Sequence, residues 1–144
     1  MTLSALTPRE ASIFACLCDT VVAPEPLLPP VQQTTAVAFF DTWLARAPRL
    51  NRIALRGLLY LVELVPRGLG ARARLRRLPV EERARALAVA EGAGPPQARQ
   101  LVKLIKGMAF LAYYADDGVM RQLGYDADAN VRRARELRAR EARP

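Results

Sequence analysis

Residues 97–126 read QARQLVKLIKGMAFLAYYADDGVMRQLGYD, and this stretch decides the fold. Its first half sets Leu101, Val102, Leu104 and Ile105 against Arg99, Lys103 and Lys106, the spacing of an amphipathic helix. From Gly107 to Tyr114 the run is apolar almost all round, as in a helix buried on several sides. The spacing therefore predicts a helix from Gln97 to about Tyr114. Turn chemistry follows at once. Asp116 or Asp117 can cap a short helix over Gly118 to Leu123, and Gly124 suits the left-handed residue that ends it.

Working outward, TPRE (7–10) is a helix start by three signals. Thr7 caps, Pro8 takes the first position where its missing N–H costs nothing, and Glu10 completes a capping box. The predicted helix runs to about Val22, with Ile13, Phe14, Cys16, Leu17, Cys18, Val21 and Val22 covering most of its circumference. APEPLLPP (23–30) breaks it as an extended loop. A second helix fits Val31 to about Ala47, through Ala36, Phe39, Phe40, Trp43 and Leu44. Pro48 separates it from a third, Asn51 to Val65, whose stripe is Ile53, Leu55, Leu58, Leu59, Leu61 and Val62. PRGLG (66–70) closes that helix. LPVEERARALAVAE (78–91) reads as a fourth, opened by Pro79 with acids in its first turn, and GAGPP (92–96) separates it from the fifth.

No stretch shows convincing strand alternation. The expected fold is all-α: a single compact bundle of five to seven helices with Pro/Gly loops over residues 1–128. An Arg-rich tail, 129–144, follows. It favours helix but offers only Val131 and Leu137 as larger apolar side chains, so a frayed or partner-dependent helix is expected. Its Glu136 and Arg140 are placed for a pair one turn apart. At 144 residues the chain is long enough for a real core, and at 51% hydrophobic it is too apolar for wholesale disorder.

The net charge of +8 is concentrated in two segments. Residues 67–85 hold seven Arg against two Glu, and residues 129–144 hold six Arg against two Glu. Arg72, Arg74, Arg76 and Arg77 form a candidate electrostatic patch. A solvated helix face, an acidic partner surface, and nucleic acid or anionic membrane are the readings open to it. No interleaved aromatics, zinc module or recognisable DNA-reading helix pair accompanies the arginines, which weighs against nucleic acid.

The chain contains no histidine. That removes the commonest general base, the commonest zinc ligand and the His-activated nucleophiles. Cys16 and Cys18 lie two apart in a helical pattern and point to different faces, so they suit neither a mutual disulfide nor a shared metal. They read as small buried hydrophobes, with a reactive or intermolecular thiol as the alternative, and fit a reducing compartment. Asp116, Asp117, Asp126 and Asp128 do not supply the alternating ligand spacing of a calcium loop. There is no glycine-rich dinucleotide fingerprint after a strand and no nucleophile–base pair. A non-catalytic chain is expected, with no catalytic, cofactor-binding or metal residue assigned.

IALRGLLYLVELV (53–65) holds Arg56 and Glu63 and is too short and too charged to span a bilayer. The first residues show neither a basic n-region nor a twin arginine, so no cleavable export signal and a cytoplasmic location are expected. Tyr113, Tyr114, Asp116, Gly124, Tyr125 and Asp126 then carry two compatible readings, helix-end packing and partner contact.

Two motifs at opposite ends of the domain carry a resemblance. Leu6 and Thr7 begin a helix that ends Asp19-Thr20-Val21-Val22 before a Pro-rich loop. Tyr113-Tyr114 leads through a turn to Leu123-Gly124-Tyr125-Asp126. Over roughly residues 5–127 the chain resembles the gluconate 2-dehydrogenase small-subunit family and the related N-terminal helical extension of long-chain alcohol oxidases. The resemblance implies an accessory subunit beside a large FAD-dependent partner of the glucose–methanol–choline type, which performs the chemistry on an alcohol or sugar. FAD is expected in that partner and no cofactor in this chain, and a cytochrome subunit is left open as a further partner. Many members of the family carry a twin-arginine signal. Without one here, a periplasmic location is expected only through export with the partner. The alternative, from the residues alone, is a stand-alone basic helical protein binding nucleic acid or an anionic membrane surface.

Overall fold

The structure, a computed structural model, describes residues 3–22 and 27–141. These residues form seven α-helices and no strand: α1 (Pro8–Val22), α2 (Ala36–Arg46), α3 (Arg49–Gly68), α4 (Val80–Ala93), α5 (Pro96–Tyr114), α6 (Asp117–Gln122) and α7 (Ala127–Glu141). Single 3-10 turns at Val31–Gln33 and Leu75–Arg77 punctuate the connections. The first half of the Pro-rich loop, 23–26, and the last three residues of the tail lie outside the described residues.

The capping box at α1 forms as expected. The Glu10 carboxylate accepts the Thr7 N–H at 2.8 Å, and the Thr7 hydroxyl accepts the Glu10 N–H at 3.3 Å. Several helix bounds differ from the sequence reading. The segment from Val31 makes one 3-10 turn and α2 begins only at Ala36, because the Thr34 hydroxyl donates to Val31 O at 2.8 Å and Thr35 is bonded elsewhere. The third helix starts two residues earlier, at Arg49, and runs on through Pro66 to Gly68. Pro66 sits in the last turn, where its missing N–H removes a single ladder bond. Gly70 then adopts φ 89°, and bonds from Gly70 N–H to Arg67 O and Ala71 N–H to Pro66 O complete a Schellman ending. The tail helix begins at Ala127 rather than at 129.

One hydrophobic core joins α1 to α6, and α7 adds no side chain to it. Helix α1 is its hub, resting most extensively on α5 and touching α2, α3 and α4 as well. Phe14 stacks on Phe40 with ring centroids 4.0 Å apart, and Ile13, Leu17, Leu44, Leu59, Ile105 and Tyr113 are fully buried around them. Cys18 is also fully buried, and burial pushes its thiol up to about 12; Cys16 is half-buried. The two thiols are free.

Among the described residues four acids lie inside, each satisfied. Asp41 accepts the Ser4, Ala5 and Leu6 N–H groups and the Ser4 hydroxyl at 2.7–2.9 Å, tying the entry segment to α2. Glu10 pairs with Arg56 at 2.8 Å, and Glu63 with Arg76 at 2.7 Å and Arg9 at 3.3 Å. Asp116 is the fourth. Among the described residues no helix is long and apolar enough to cross a membrane.

Candidate functional site

The turn from α5 to α7 brings together all six residues singled out there, in two different capacities. Tyr113 is fully buried and its hydroxyl donates to Pro29 O at 2.7 Å. Burial, with the neighbouring Tyr114 and the Asp116 charge, raises its pKa, so it acts as a neutral donor. Asp116, rather than Asp117, caps α6. One carboxylate oxygen accepts the Gly118 and Val119 N–H groups at 2.9 and 3.1 Å, and the other accepts the Thr35 N–H and hydroxyl, both at 2.8 Å. Burial would raise this carboxyl, but the Thr35 donors and then those of Val119 and Gly118 outweigh it and hold it below the usual carboxylate range.

Gly124 adopts φ 78°, with its N–H on Arg121 O and the Tyr125 N–H on Met120 O, a second Schellman ending. Asp126 caps α7, accepting the Ala129 N–H at 2.9 Å. Four of the six residues are thus committed to architecture. Tyr114 and Tyr125, 36% and 47% exposed, instead line a polar groove of about 450 Å³ with Asp117, Met120, Arg121 and Arg132. Asp126 and Asp128 also line it, so it carries charges of both signs.

The arginine patch divides. Arg74, Arg76 and Arg77 line one cleft with Ser12 and Glu63, and Arg72 stands apart, exposed. The Arg76 guanidinium bonds Glu63 and Ser12, joining the link to α1 and α3. Burial of Glu63 is outweighed first by Arg76 and then by Arg9, which hold its carboxyl below the usual range. Arg83 likewise pairs with Asp19 at 3.5 Å and donates to Leu78 O at 2.7 Å. The Arg-rich link is therefore partly an internal clasp.

A third surface is apolar. Helices α3 and α5 are only half covered. On α3, Leu55, Leu58, Leu59 and Val62 are buried, but Leu50, Ile53, Leu61 and Leu64 are 80%, 60%, 58% and 41% exposed. On α5, Val102, Ile105, Ala109 and Ala112 are buried, while Leu101, Leu104 and Leu111 are 41–53% exposed. Between the two helices runs an apolar groove of about 340 Å³, with Leu55 and Leu58 beside Ala54, Leu101, Leu104 and Met108, and Trp43 of α2 contributes to its lining. The signal for this surface was present in the sequence: α3 carries apolar residues over an arc much wider than one buried stripe needs.

Among the described residues no three His, Cys, Asp or Glu side chains converge as metal ligands. No protein-family model, curated protein or solved structure matches the chain.

Proposed function

We propose that this chain is a non-catalytic accessory subunit that binds and stabilises a large FAD-dependent oxidoreductase of the glucose–methanol–choline type, acting on an alcohol or sugar. The observation that carries the reading is the apolar surface left uncovered on α3 and α5 of an otherwise well-packed bundle. Contiguous exposed apolar side chains on a folded domain mark a surface with a partner. The resemblance of the two end motifs supplies the partner's class. FAD belongs to the large subunit in this reading, as the resemblance implies. A cytochrome remains a further partner to look for.

The test is a pull-down of the tagged chain from its native cells at high salt, with an absorbance spectrum of the eluate. A flavin spectrum accompanied by a large second chain supports the reading. A colourless eluate holding this chain alone defeats it.

One observation favours a second reading, a stand-alone basic protein on nucleic acid or an anionic membrane. Helix α7 buries no side chain and presents Arg132, Arg133, Arg135, Arg138 and Arg140 to solvent. Such binding would fall steeply with added salt, whereas an apolar subunit contact would survive it.

A further inference from the structure

We infer that the cleft between the Arg-rich link and α1 binds a phosphate monoester, held by Arg74 and Arg77 with the Ser12 hydroxyl beside them. The inference stands apart from the accessory-subunit reading and does not depend on it. Leu75 is fully buried, so the link is pinned to the core between its arginines. Its single 3-10 turn is closed by bonds from Arg77 N–H to Arg74 O at 2.9 Å and from Leu78 N–H to Leu75 O at 3.1 Å. Side chains three apart in such a turn stand on the same side. Arg74 and Arg77 are three apart, and both line one cleft of about 330 Å³ with Ser12, Glu63 and Arg76.

Charge defines the ligand. Two Arg76 nitrogens bond one Glu63 oxygen at 2.7 and 2.8 Å, and the third donates to Ser12 Oγ at 3.2 Å. Arg9 engages the other Glu63 oxygen at 3.3 Å, and the Glu63 side chain is only 2% exposed. The one acid in the cleft is thus already committed. Among the described residues Arg74 and Arg77 pair with no carboxylate. Three guanidiniums against one carboxylate leave the cleft at +2. A phosphate monoester, close to a dianion at neutral pH and rich in acceptor oxygens, matches both that excess and the forked donors. A carboxylate or a phosphodiester carries a single charge and would neutralise half of it.

The test titrates inorganic phosphate into the purified full-length chain at about pH 7.5, followed by isothermal calorimetry, with sodium chloride holding the ionic strength constant. Saturable one-to-one binding is expected. Arg74→Ala and Arg77→Ala break no internal ion pair, so each should keep the parent's circular dichroism. Each should bind about tenfold more weakly, as expected for loss of a charged donor. Arg133→Ala, on α7, should bind as the parent does. Affinity should also fall between about pH 7.5 and 5.5, as the dianion gains a proton.

Absence of saturation overturns the site, and so does undiminished binding by the Arg74→Ala, Arg77→Ala double variant. A loss caused by Arg133→Ala overturns it in favour of α7. Vesicles then identify the source of the phosphate, since phosphatidic acid carries a monoester headgroup and phosphatidylglycerol a diester. Cosedimentation with phosphatidic acid vesicles alone, lost in the double variant, supports the site with a lipid headgroup as its ligand. Binding of free phosphate without cosedimentation supports it with a soluble monoester. Equal cosedimentation with both vesicles, abolished in the double variant, overturns the monoester reading, because the cleft then recognises negative charge alone.

Discussion

The carboxylate of Asp116 and the backbone N–H of Thr35 meet at 2.8 Å although 81 residues separate them. One side chain thereby caps α6 and bonds the residue that precedes α2. Asp116→Ala would strand the Thr35, Gly118 and Val119 donors together, at a cost of about 2 kcal/mol or more. Urea unfolding should show a lower midpoint at unchanged slope. Asp116→Asn keeps one acceptor oxygen and should cost less.

Asp41 sets an acid limit. Burial would raise its carboxyl, but the N–H groups of Ser4, Leu6 and Ala5 and the Ser4 hydroxyl bring it from 3.8 down to about 2. A lowered folded value means that ionisation favours the fold. Its contribution, on the order of 2 kcal/mol, is full above about pH 4 and is lost as the pH falls through 2. Unfolding measured between pH 5 and 2 should show a steep loss that Asp41→Asn flattens.

The two arginines on Glu63 are unequal. Arg76 approaches at 2.7 Å through one nitrogen and 2.8 Å through another and is 29% exposed, whereas Arg9 reaches 3.3 Å and is 50% exposed. Arg76→Ala should therefore destabilise by roughly 1–2 kcal/mol and Arg9→Ala by less than about 1 kcal/mol. The Arg9 change also removes the guanidinium held 5.2 Å above the Tyr60 ring. Equal thermal shifts from the two variants would contradict the geometry.

The tyrosines of the turn should separate stability from binding. Tyr113→Phe loses the hydroxyl bond to Pro29 and should cost about 1 kcal/mol. Tyr125→Ala, at an exposed side chain, should stay within about 0.5 kcal/mol of the parent. Thermal denaturation of both distinguishes them.

Local chemistry was readable from residue order. The TPRE box, the Asp116 cap and the Gly124 ending each depend on neighbours within a few positions, and each formed. Long-range satisfaction was not readable in this way. Nothing near Asp41 in sequence announces Ser4, and nothing near Arg76 announces Glu63, because those pairs exist only once α1, α2 and α3 have met. The late start of α2 has the same origin: Thr35 is bonded to a carboxylate that arrives from α5's far end. The width of α3's apolar arc was visible, but which part of it stays uncovered depends on where α1 and α5 settle.

Helix α1 rests chiefly on α5, and Cys18 lies against the carbonyl of Ala109, 91 residues further on. A chain emerging from the ribosome at roughly 5–20 residues per second would hold its first helix without its main neighbour for on the order of 5 to 20 s. Although α2, α3 and α4 cover part of it earlier, α1 is thus fully covered only once α5 is made. Elongation rate, more than the intrinsic speed of collapse, then sets how long chaperones and proteases can reach it.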